Sequence, residues 1–112
     1  MMDVMIMEYD IKRGYYKNLD EGGLQNIMAE IFGDVTEEGD ALVSSYGAMR
    51  ELRVCVLSKS SMSVETESDT EVSDEVALET IRKFNKFLEA ATGFNTKQRK
   101  DRLNKKAKQG KL

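Results

Sequence analysis

A chain of 112 residues with one Cys, no His and no Pro has the length of one domain with one core. It excludes an internal disulfide, an imidazole metal site and any Ser/His or Cys/His catalysis. Its formal net charge of −3 hides a division: residues 97–112 hold eight cations against Asp101 alone, leaving nine cations and nineteen acids in residues 1–96. An acidic body with a basic tail is the asymmetry expected of a protein with a charged partner.

The opening run, Met1 to Glu8, is apolar but too short and too interrupted by acids for a signal peptide or a membrane span. The expectation is a cytoplasmic protein with no membrane partner. Met5, Met7, Tyr9 and Ile11 alternate with Ile6, Glu8, Asp10 and Lys12, which predicts a strand with one buried face. Lys12-Arg13-Gly14-Tyr15-Tyr16-Lys17 then breaks the alternation. Leu24, Ile27, Met28, Ile31 and Phe32 form a helical stripe over about residues 20–32, closed by Gly33; Gly22-Gly23 weakens its first turn.

Short β-type segments follow at Val35-Thr36, Ala41–Tyr46, Leu52–Leu57 and Met62–Glu67, separated by turn chemistry at Glu37–Asp40, Gly47 and Ser58–Ser61. Connections this short make neighbouring strands antiparallel. The Leu52–Leu57 segment is the most apolar and is expected at the centre. Ser73 caps a long helix with Asp74 and Glu75 in its first turn, and Gly93 ends it. Ala77, Ile81, Phe84, Leu88 and Ala91 mark its expected buried face, widened by Leu78 and Phe87. The fold class is therefore α+β: an antiparallel sheet of about 4–5 strands packed by one shorter helix and one long C-terminal helix.

The domain assignment is residues 1–94 for the body and 95–112 for a basic tail. Only Leu103 and Ala107 are apolar between Lys97 and Gly110, so the tail is expected to be helical when bound and too polar to hold itself against the body.

The runs Tyr9-Asp10-Ile11-Lys12-Arg13-Gly14-Tyr15 and Ser45-Tyr46-Gly47-Ala48, with the stretch from Glu79 to Arg102, resemble a small archaeal family of unknown function. That resemblance implies an archaeal cytoplasmic protein and hands over no activity and no site. The β-α-β4-α order is also similar to TBP-like and helix-grip folds, which host unrelated functions.

The expected function is non-enzymatic binding. Lys97, Arg99, Lys100, Arg102, Lys105, Lys106 and Lys108 could neutralise phosphates of RNA or DNA by counterion release. Lys12, Arg13, Tyr15, Tyr16 and Lys17 interleave cations with rings, as a stacking platform for single-stranded bases does. This second group gains force only if it lies near the tail in space. The plainer readings are a solvated tail and a strand exit whose rings pack on the core.

Two rival readings remain open. One is a homodimer or protein-interaction module, built through an edge strand or through a tail docked on Glu65, Glu67, Asp69 and Glu71. Those four carboxylates are otherwise expected to protect an edge strand. The other is a small-ligand binder between the sheet and the long helix. Cys55 is read as a small hydrophobe, and the sequence offers no cofactor motif, no metal-ligand cluster and no catalytic set.

Overall fold

The computed structural model describes the backbone of residues 2–108 and the side chains of residues 4–105. The elements run β1 (Met2–Asp10), α1 (Tyr16–Leu19), α2 (Gly23–Phe32), β2 (Thr36–Glu38), β3 (Ala41–Tyr46), β4 (Met49–Ser58), β5 (Ser61–Asp69), α3 (Asp74–Thr92) and α4 (Thr96–Lys108). The five strands form one sheet in the order β1-β5-β4-β3-β2, antiparallel throughout. The α+β architecture and the central place of β4 agree with the sequence reading.

Period-two patterning sorts the strands' side chains onto two faces. Leu52 and Val54 of β4 and Met62, Val64 and Thr66 of β5 are at most 5% exposed. They meet Met28 and Phe32 of α2 and Phe87, Leu88 and Ala91 of α3 in one core. The region between sheet and long helix, where a small ligand was a rival expectation, is thus filled by side chains.

The opposite face carries Glu65 and Glu67 of β5, with Arg53 and Glu51 of β4 as their respective cross-strand partners. Strand β5 lies between β1 and β4, so its carboxylates do not protect an edge as expected. They solvate an open sheet face instead. Arg53 bonds Glu38 there at 3.0 Å and lies 3.6 Å from Glu51. At the end of β5, Asp69 accepts the Glu71 backbone N–H and an Arg50 N–H, each at 2.9 Å, which holds its carboxyl below its usual range.

Helix α3 begins and ends as its capping residues dictate: the Ser73 hydroxyl accepts the Val76 N–H, and left-handed Gly93 closes the C-terminus. Its buried face is rotated from the expected one. Ile81 and Leu78 are each 54% exposed, whereas Thr80 and Thr92 point inward. Their hydroxyls make that burial tolerable. Thr80 donates to the Val76 carbonyl and accepts the Ala48 N–H; Thr92 donates to the Leu88 carbonyl and accepts the Phe94 N–H.

The first strand also departs in part from expectation. Tyr9 and Ile11 are buried, but Met5 is 44% exposed. Helix α2 starts at Gly23, later than the expected residue 20, because Tyr16–Leu19 folds separately as the single turn α1. Leu19 anchors that turn in the core.

Candidate functional site

Beyond Asp10 the chain leaves the sheet but stays tied on both sides. Ile11 N–H donates to the Ser60 carbonyl of the β4–β5 turn at 2.8 Å, and Lys12 N–H to the Thr92 carbonyl at the end of α3 at 2.7 Å. The loop between β1 and α1 is therefore held against a hairpin turn and a helix terminus that are distant in sequence. Tyr15 turns inward, its ring lying against Gly93, where an added Cβ would stand 2.9 Å from three ring carbons. Gly93 also has φ +80°, so two independent constraints demand glycine there. Gly93→Ala is expected to destabilise the fold by about 2 kcal/mol or more, since left-handed strain alone costs 1–2 kcal/mol. A urea-unfolding midpoint checks it.

As far as Leu103, the basic C-terminal segment is docked, contrary to the expectation that it is too polar to hold. Arg99 is only 6% exposed and spends its guanidinium on the Phe94 carbonyl (2.6 Å), Asn85 Oδ1 (3.2 Å) and Thr96 Oγ1 (3.2 Å). Burial lowers its pKa, opposed by the nearby Tyr9 and Glu89. Burial likewise raises the pKa of the Tyr9 phenol, which Arg99 moderates. Arg102 donates to Asp10 Oδ2 at 2.8 Å and lies 4.5 Å from the Phe94 ring centroid. Leu103 adds an apolar contact with the core. One buried cation and one stacked cation supply the hold that the helix's sparse apolar residues do not.

Together these elements enclose an open groove of about 1040 Å³, lined by Ile11, Lys12, Arg13, Gly14, Tyr16, Lys17, Asp20, Lys59, Ser60, Phe94 and Arg102. Five of the lining residues are cations and only Asp20 is acidic. A family model described as a domain of unknown function (DUF5611) matches residues 6–105. The chain belongs to this family. The match takes in every residue of the groove and α4 as far as Lys105. No curated protein and no solved structure matches the chain.

Of the sequence candidates, the groove gathers Lys12, Arg13, Tyr16, Lys17 and Arg102, so the aromatic-basic loop and the tail do meet in space. Tyr15 lies outside the lining as the support beneath the loop, with the Lys12 ammonium 5.9 Å from its ring centroid. Arg99 serves inside the structure. Lys97, Lys100 and Lys105 are exposed on α4 outside the groove lining. The side chains of Lys106 and Lys108 lie outside the described residues.

Lys59 and Phe94 were not singled out by sequence reasoning. Lys59 sits in a turn whose only signal was turn chemistry, and Phe94 follows a helix-ending glycine. Each reaches the groove through tertiary placement alone.

No group of three or more ligating His, Cys, Asp or Glu side chains lies together among the described residues. No helix among them is long and apolar enough to cross a membrane. The groove thus combines five cations with Tyr16 and Phe94 in its wall.

Proposed function

We propose that this protein is a non-enzymatic nucleic-acid-binding accessory whose basic groove takes single-stranded RNA or DNA. The observation that supports this reading most is the convergence of Lys12, Arg13 and Lys17 with Lys59 and Arg102 on one concave surface, with Tyr16 and Phe94 among them. Cations alone would suit any polyanion; cations interleaved with rings suit one that also offers flat bases. The open sheet face carries Glu51, Glu65 and Glu67, which would repel phosphates, so the ligand is confined to the groove side.

The reading predicts binding of a mixed-sequence single-stranded RNA whose log affinity falls with log salt at a slope of about −3, as four phosphate contacts require. Replacing Lys17 and Lys59 together by alanine is expected to flatten that slope by about 1.4. A slope unchanged by the double variant, or no binding by the parent at low salt, would sink the proposal. Because Arg99 and Leu103 belong to the body's packing, whole-chain variants test the site more cleanly than truncation after Thr96.

A further inference from the structure

The two edges of the sheet are built in opposite ways. Strand β2 is three residues long, Thr36-Glu37-Glu38, and wholly exposed, the short charged edge that discourages further pairing. Strand β1 is nine residues long and pairs with β5 without a register shift from Met2↔Asp69 to Asp10↔Ser61. Between Met2 and Glu8 it has no Lys, no Pro and no bulge. Three consecutive apolar side chains stand in water there: Val4 at 59%, Met5 at 44% and Ile6 at 67% exposed.

Val4 and Ile6 share the open face with Glu67 and Glu65, while Met5 lies on the helix side of the sheet, where α3 carries two more exposed apolar residues. The Asn85 flank of α3 is the one that meets Arg99 of α4, and α4 in turn meets β1 at Asp10. Ile81 lies one turn before Asn85 on that flank, with Leu78 a further turn back, beyond the reach of those α4 contacts. Both are 54% exposed.

We infer that the free edge of β1 pairs antiparallel with the β1 edge of a second copy of this chain, across a two-fold axis at Met5. The register follows from faces, charge and space. A two-fold perpendicular to the sheet puts residues of the same face opposite each other, so paired residue numbers sum to an even value. A pairing centred on Met5 sets Val4 opposite Ile6, Asp3 opposite Met7 and Met2 opposite Glu8, with no acid facing an acid. A pairing centred on Ile6 would draw in Tyr9 and Asp10, where Arg102 of α4 already lies. A pairing centred on Val4 would use only residues 2–6 of the strand and leave Met7 and Glu8 unpaired; centres on Asp3 or Glu8 would oppose identical carboxylates. The Met5 register uses seven residues, about 23 Å of strand, and joins two sheets into one of ten strands. It places the two basic grooves at opposite ends of the shared ribbon, so the inference is independent of what the groove binds.

Sedimentation of the full chain is expected to show a dimer, and Ile6→Lys to weaken association at least tenfold while leaving the circular dichroism unchanged, since Ile6 is exposed. In a Cys55→Ser background, Met5→Cys is expected to cross-link on oxidation, because symmetry-related residues 5 face each other at strand-pair distance. Met7→Cys is not, its counterpart lying about 13 Å along the strand. A parent chain that stays monomeric at high concentration overturns the inference. So does a dimer insensitive to Ile6→Lys, or equal cross-linking by both cysteines; an edge reserved for another protein's peptide would give the monomeric result.

Discussion

Phe87→Ala is expected to cost about 3–5 kcal/mol, the usual range for truncating a large aromatic side chain in a core. Phe87 is wholly buried, and its ring centroid lies 5.6 Å from that of Phe32 on α2, so the cavity would open where the two helices and the sheet meet. Those helices are held by the elements around them and cannot close the void without losing other contacts. The informative control is Ile81→Ala on the same helix. An amphipathic reading of α3 places Ile81 in the core, but its 54% exposure predicts a cost below about 1 kcal/mol. Urea unfolding of both variants, with unchanged slope, separates the two faces. Equal losses would mean that the helix is rotated from the orientation described.

Arg99→Ala is expected to cost about 2–4 kcal/mol and to release α4. Two effects oppose each other at this position. Burying a guanidinium is unfavourable, as its lowered pKa indicates, while three hydrogen bonds and the packing of its stem favour the docked state. Truncation removes both but leaves the Phe94 carbonyl without its 2.6 Å donor, a penalty of about 1–3 kcal/mol by itself. Arg99→Lys should rescue little, because an ammonium cannot span three acceptors as the planar fork does. Hydrogen exchange resolves the consequence: amides of α4 should lose protection well before those of β4 and β5. Retained α4 protection in Arg99→Ala would show that Leu103 and Arg102 suffice to hold the helix.

The parts of this fold that are legible in the sequence are those fixed by local chemistry. Ser73 and Gly93 mark the ends of α3 to the residue, and alternation around Leu52, Val54 and Val56 marks the central strand. The orientation of α3 is not legible in the same way, because a hydropathy stripe cannot anticipate that Thr80 and Thr92 satisfy their hydroxyls on backbone groups and point inward. The docking of α4 escapes the pattern for a related reason: a residue counted as a solvated cation, Arg99, is its anchor.

Half of the groove could be found from sequence. The aromatic-basic loop announces itself by composition, and Arg102 by the tail's charge. Lys59 and Phe94 join them only because Ile11 and Lys12 are tied to Ser60 and Thr92. Those two backbone bonds have no compositional signature.

Lys59 is therefore where the central claim is most exposed. It lies on an exposed hairpin turn, far along the chain from both the Lys12–Lys17 loop and the tail, and faces a ligand only if the groove is the site. The decisive measurement is single-stranded RNA binding, in low salt, by Lys59→Glu and by a variant with Lys97, Lys100 and Lys105 all changed to alanine. The groove account predicts that the single charge reversal weakens binding about tenfold or more, by at least as much as the triple change on α4. Full affinity in Lys59→Glu, with binding lost in the α4 variant, would contradict it and move the site onto the outer face of that helix.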